Sequence, residues 1–234
     1  MRQIPAAVAA AAVLALAVPS PAQGAIFPDV RWEMNEPAGS GTMLDSFVSG
    51  LVGDVGTDIS TGAAYAGATG YRFPTVAPDA KPVRPEHTVV VPDNSRLDPG
   101  SGNFAVELRL RTVGKGGNIV QKGQARTDGG FWKVELNDGE PTCVFRGADG
   151  TTNAVRAREA SIADGVWHTI RCKQSYGAVD LWVDGGHIGR NQGQTGHISN
   201  GHPLSIGGKQ RCDQENVGCD YFSGTVDWIR ITKG

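Results

Sequence analysis

From about residue 100 onward, apolar and polar side chains alternate in short runs separated by Gly, Asp, Asn and Pro. Recurrence of apolar residues at every second position marks a strand buried on one face. In Phe104–Arg111, Phe104, Val106, Leu108 and Leu110 take one face, and Glu107, Arg109 and Arg111 the other. In Phe131–Leu136, Trp132, Val134 and Leu136 face inward, while Lys133 and Glu135 face out. Asn137-Asp138-Gly139 then turns the chain into a return strand at 142–146, Asp-Gly being a strong hairpin signal. A second hairpin joins 167–172 to 179–183 through Ser175-Tyr176-Gly177. There Trp167, Thr169 and Arg171 share one face, and His168, Ile170 and Cys172 the other. Asp184-Gly185-Gly186 turns again into 187–190. Late strands fall at 203–206 and 225–231, earlier ones at 30–34, 70–73 and 88–91. No amphipathic helix of ten residues stands out. About a dozen strands, with turns roughly every 8–12 residues, predict an all-β sandwich or barrel.

The beginning of the chain has a different pattern. Met1, Arg2 and Gln3 precede an almost wholly Ala, Val, Leu and Ile run from Ile4 to Val18, then Pro19-Ser20-Pro21-Ala22-Gln23-Gly24-Ala25. A basic start, an apolar middle and small residues at the end are the layout of a secretory signal peptide. The apolar run is about 15 residues, short of the roughly 20 that span a bilayer. Residues 1–25 are therefore expected to be removed, leaving a secreted chain of residues 26–234 in which no later run is long enough to cross a membrane. That length suits one all-β domain, with the Pro-rich stretch from Pro74 to Pro85 read as a long loop. The formal charge is −2. This does not favour nucleic acid, which selects a basic surface, or insertion at an anionic membrane.

The four cysteines are Cys143, Cys172, Cys212 and Cys219. An even number in an exported chain reads as disulfides, with three pairings open. The strand map favours Cys143–Cys172, pinning two neighbouring strands, and Cys212–Cys219, closing a polar loop. The rival, a four-thiolate metal site, needs close cysteine pairs that these spacings do not provide.

Four segments resemble laminin G-like domains of the concanavalin A-like lectin/glucanase superfamily. They are Asp164-Gly165-Val166-Trp167-His168-Thr169, Leu181-Trp182-Val183-Asp184-Gly185, Leu204-Ser205-Ile206-Gly207-Gly208 and Phe222–Ile231. Trp32–Glu36 with Met43-Leu44-Asp45 is similar to that family's opening strand and loop. The likeness covers most of residues 28–234 and implies an antiparallel two-sheet β-sandwich of jelly-roll type. By the same analogy a calcium ion is expected on Glu36, Asp45 and Asp227, with the loop acids Asp213, Glu215 and Asp220 as a second set; hard oxygen ligands suit that ion.

Glucanases of this superfamily carry Glu-x-Asp-x-Glu on one strand, which puts two working carboxylates about 5 Å apart on one face. That motif is absent. Glu33-Met34-Asn35-Glu36 has Asn at the centre, and in Glu135–Glu140 a turn breaks the alternation. No Gly-x-Ser-x-Gly elbow or His-Glu-x-x-His motif appears, and His168 reads as strand packing. The five tryptophans all fall in strands and read by default as core. Tyr176 and Tyr221 lie in turns and are the expected exposed platforms for a sugar ring. The function expected is a secreted, non-catalytic recognition module for a glycan or glycosylated surface. The alternatives are an adhesive domain that binds an extracellular or cell-surface protein, and an enzyme acting on polysaccharide with acids drawn from different strands.

Overall fold

The computed structural model describes residues 29–47, 49–77, 85–212 and 218–234; the expected signal peptide lies outside them. Sixteen strands form among the described residues, with two short 3-10 turns and no α-helix. In chain order they begin with β1 (Val30–Trp32), β2 (Thr42–Met43), β3 (Gly53–Val55), β4 (Ser60–Tyr65), β5 (Ala68–Phe73) and β6 (Val89–Val91). The middle strands are β7 (Phe104–Arg111), β8 (Gly117–Lys122), β9 (Phe131–Asn137), β10 (Glu140–Arg146) and β11 (Thr152–Arg156). The last are β12 (Trp167–Ser175), β13 (Ala178–Val183), β14 (Gly186–Gln192), β15 (Leu204–Ile206) and β16 (Gly224–Lys233).

All pairings are antiparallel, and they build two eight-stranded sheets. The first runs β14-β13-β12-β7-β16-β5-β4, with β1 added on β16. The second runs β11-β10-β9-β8-β15-β6-β3-β2. The inward rows read from the alternation meet between them: Phe104, Val106, Leu108 and Leu110 from β7 face Trp132, Val134 and Leu136 from β9, all nearly or wholly inaccessible. Phe104 and Trp132 touch across the gap with ring centroids 5.3 Å apart. The indoles of Trp32 and Trp132 are fully buried, and each donates Nε1–H to a carbonyl, of Leu51 and Leu97 respectively. Each buried donor is thereby satisfied.

The two expected hairpin turns adopt the same conformation. Asp138 and Gly139 have φ 54° and 84°, Asp184 and Gly185 φ 50° and 77°, the paired positive values that a two-residue hairpin of matching twist requires.

Both favoured disulfides form. Cys143–Cys172 differs from expectation in what it joins. Cys143 is on β10 of the second sheet and Cys172 on β12 of the first, with Cα atoms 5.7 Å apart. It staples the two sheets through the core instead of tying neighbouring strands. The reason is alternation: Cys172 lies on the inward face with Ile170, and both cysteines are fully buried.

Strand β8 carries no period-two signal because both of its faces are covered. At its end Lys122 is fully buried, its ammonium 2.6 Å from Asp98 and 2.8 Å from Asp93, and it also donates to the Asn200 carbonyl. A buried cation needs that much pairing to persist.

Candidate functional site

The outer face of the first sheet carries what the alternation leaves over. Arg109 and Arg111 alternate with buried Leu108 and Leu110, and Arg171 and Lys173 with buried Ile170 and Cys172. Arg230 stands between buried Ile229 and Ile231. Three tryptophans share this face, where the sequence reading had placed them in the core: Trp167 on β12, Trp182 on β13 and Trp228 on β16, each half-buried. Cross-strand pairing brings a guanidinium to Trp167 and Trp182, and Trp228 receives one from its own strand. Arg109 lies over Trp167 at 4.8 Å, Arg171 over Trp182 at 5.2 Å and Arg230 over Trp228 at 4.0 Å. Cation–π contacts of this kind contribute about 0.5–1 kcal/mol at exposed sites. The signal was present in the sequence: Trp167 shares its parity with Arg171, Trp182 with Asp180 and Trp228 with Arg230. An indole in a row of charged residues faces solvent.

Asp227 belongs to this face. Its carboxylate accepts from Arg109 at 2.6 Å and holds that guanidinium over Trp167. Glu36 and Asp45 lie in the opening segment. Glu36 is nearly buried and accepts from the Leu44 amide at 2.7 Å and the Tyr71 hydroxyl at 2.6 Å. Burial, and then the Glu36 carboxylate, push the Tyr71 hydroxyl well above its ordinary value, so it stays a donor. Asp45 accepts from the amides of Arg31, Phe47, Ser49 and Gly50 and from the Ser49 hydroxyl. Burial would raise its carboxyl, but these bonds prevail and it titrates below the usual range. All three expected calcium ligands thus have protein donors. Among the described residues, no three His, Cys, Asp or Glu side chains gather in a group that could hold a metal ion. Asp213 and Glu215 lie outside the described residues, and Asp220 pairs with Lys209 at 2.7 Å.

Of the two tyrosines expected as platforms, Tyr176 is 73% exposed, at the β12–β13 turn. Tyr221 is 1% exposed, packed edge-on to His87 and clustered with the Cys212–Cys219 bridge, so it offers no open ring. It instead forms part of the wall of a pocket of about 470 Å³ at the end of the first sheet, where β7 stops and β16 begins. Arg72, Arg111 and Lys115 also line that pocket. His168, on β12, stands between two carboxylates. Nδ1 is 2.7 Å from Asp184 and Nε2 3.1 Å from Asp164. Burial lowers its pKa, but the two carboxylates outweigh that and raise it.

A model of a laminin G-like family, described as the concanavalin A-like lectin/glucanases superfamily, matches residues 86–234. No curated protein matches the chain. Among solved structures, the binding domain of Paraclostridial Mosquitocidal Protein 1 superposes with a TM-score of 0.60 at 13% identity, over 88% of this chain and 47% of that one. The ligand binding domain of botulinum neurotoxin serotype D in complex with N-acetylneuraminic acid gives 0.59 at 12%, over 88% and 47%. Domains LG4-5 of the mouse laminin alpha1 chain give 0.46 at 19%, over 56% and 36%. The chain spans less than half the length of these solved chains.

Proposed function

This chain belongs to the laminin G-like family of the concanavalin A-like lectin/glucanases superfamily, and from that premise we propose that it is an extracellular recognition module that binds glycan on the outer face of its first sheet. The observation that carries the reading is the set of three solvent-facing tryptophans, each stacked with an arginine. A pyranose ring has an apolar C–H face that packs on an aromatic ring, and polar edges that need directed donors. An indole beside a guanidinium supplies both. The two disulfides support an extracellular setting, since such bridges persist in oxidising compartments.

The test is a broad glycan and polysaccharide array, run with the oxidised chain in calcium and again in EDTA. The reading predicts binding to a defined group of glycans that Trp182→Ala weakens. Binding that survives EDTA would leave the calcium expected from the sequence at most structural. Binding lost in EDTA would make that ion part of recognition. A blank array in both conditions contradicts the proposal and turns the search to protein partners, the adhesive alternative.

A further inference from the structure

We propose that Lys122 and Asn200 become joined by an intramolecular amide bond, which the folded chain makes by itself with Asp98 as the proton carrier. The bond is a third covalent staple beside the two disulfides.

Lys122 is the only Lys or Arg that is buried among the described residues. It is the last residue of β8, and the register sets it in a row between Trp132 of β9 and Leu204 of β15, both fully buried. Its Nζ lies 2.6 Å from Asp98 Oδ1 and 2.8 Å from Asp93 Oδ1. It also donates to the Asn200 backbone carbonyl and reaches the Asn200 side-chain Oδ1 at 3.4 Å. The outer face of the first sheet does not use this group, which belongs to the second sheet.

The surroundings hold amine, carboxylate and carboxamide together. Gly100 and Ile198 form an isolated antiparallel bridge, exchanging backbone hydrogen bonds of 2.8 and 3.0 Å. Asp98 and Asn200 each lie two residues from that bridge. Asp98 Oδ2 accepts from the Ser199 hydroxyl at 3.0 Å, and Oδ1 from the Asn200 amide at 3.4 Å. The Asn200 carboxamide is fixed at both ends. Its Oδ1 accepts from the His202 amide at 3.0 Å, and its Nδ2 donates to the Gly130 carbonyl at 2.9 Å. Gly123, next to Lys122, makes the room: a Cβ there would come within 2.9 Å of Asn200 Nδ2.

These contacts suit attack of the amine on the side-chain amide. A proton passes from the Lys122 ammonium to Asp98 along their hydrogen bond, leaving both neutral, and a buried site holds neutral groups at less cost than charges. The amine nitrogen then bonds to Cγ of Asn200. Negative charge gathers on Oδ1, where the His202 N–H already donates. Asp98 hands its proton to Nδ2 and takes a second one from Nζ, and the Cγ–Nδ2 bond breaks. The departing ammonia collects that second proton and leaves as ammonium. One C–N bond forms and one breaks, nothing is oxidised or reduced, and Asp98 ends as it began. A carboxylate is a poor acceptor for an amine, whereas a carboxamide can release ammonia, so Asn200 and not Asp98 takes the bond. Amines attack amides slowly in water, and holding the two in one cluster supplies the proximity that speeds such a step. Asp93, its side chain 43% exposed, marks the way out for the product. The bond ties the end of β8 to a segment 78 residues further along the chain. It constrains the unfolded chain as a disulfide does, and no reductant opens it.

The experiment is mass spectrometry of the folded, oxidised chain after it has been unfolded and reduced. The mass is expected below that of the sequence by one ammonia. A tryptic digest is expected to contain residues 116–126 joined to residues 191–209 as one branched peptide, since trypsin does not cut at an acylated lysine. Lys122→Arg and Asp98→Ala are each expected to lose no ammonia. A loss of ammonia that persists in Lys122→Arg comes from ring closure at Asn200-Gly201 and overturns the proposal. A loss of water in its place puts the bond on Asp98 and overturns the part given to Asn200. Should the variants fail to fold, the wild-type digest decides alone: residues 116–122 and 191–209 recovered as separate peptides in full yield overturn the bond.

Discussion

Replacing both Cys143 and Cys172 with alanine should destabilise this fold strongly, and more than removal of the other bridge. The bridge closes a sequence separation of 29 residues, which on the chain-entropy model constrains the unfolded chain by about 3–4 kcal/mol. Both cysteines are fully buried between the sheets, so removing the sulfurs also leaves a small cavity, adding about 1 kcal/mol. For a domain of this size each kcal/mol shifts the melting temperature by about 2–4 °C. A fall of roughly 8–20 °C is expected. Removing the Cys212–Cys219 bridge provides the internal comparison. Its separation is 7 residues, worth about 2–3 kcal/mol on the same model, and it lies in a satellite cluster with Tyr221, outside the main core. Thermal unfolding followed by circular dichroism, on both double variants under oxidising conditions, reads the difference. If the Cys212–Cys219 variant melts lower than the Cys143–Cys172 variant, the staple between the sheets is not the stabilising element described here.

Three further outcomes follow from the described contacts. His168 has a folded pKa above its ordinary 6.5 because both ring nitrogens face carboxylates. Its stabilisation is therefore fully present below the unfolded value and is lost as pH rises through the folded one. The melting difference between the wild type and His168→Gln should shrink from pH 6 towards alkaline pH, and a difference that is flat with pH contradicts the pairing. Lys122→Met leaves Asp98 in the core without its cation and should cost about 3–5 kcal/mol in denaturant unfolding; a cost below about 1 kcal/mol would mean that the pair is not needed. Asp227→Asn breaks a partly exposed pair with Arg109 and should change stability by less than about 1 kcal/mol, yet weaken glycan binding because Arg109 loses its orientation over Trp167. Unchanged affinity in that variant would remove Asp227 from the site.

The strands that could be read from the sequence are those with one wet face. In β7, β9 and β12 the alternation is clean because one side meets the core and the other meets water. Strand β8 went unseen because its two faces are both covered, and the short β2 and β3 are too brief to show a period. The first and last strands pair antiparallel, Val30 opposite Ile231, a long-range contact that no local pattern announces. Cysteine pairing was legible because each partner's local setting was. The sheets they join were not, since alternation reports which way a residue faces and not which sheet it belongs to. The site was harder to read. Hydrophobicity alone assigns an indole to the core, which holds for Trp32 and Trp132. Trp167, Trp182 and Trp228 follow the parity of their charged neighbours instead. Asp227 was singled out as a calcium ligand by analogy; the structure gives its carboxylate a partner in Arg109 of β7, and only the sheet order places β7 next to it.

The central claim is that the stacked tryptophans on the outer face form the glycan contact. Its most direct test is calorimetry with whichever glycan binds best on the array, comparing the wild type with Trp182→Ala, Trp228→Ala and the Tyr176→Ala control, Tyr176 being exposed but off this face. Aromatic stacking lost on truncation should lower affinity by about tenfold in each tryptophan variant, with melting temperatures near that of the wild type and Tyr176→Ala unchanged. Full affinity in both tryptophan variants, or a loss confined to Tyr176→Ala, would contradict the account.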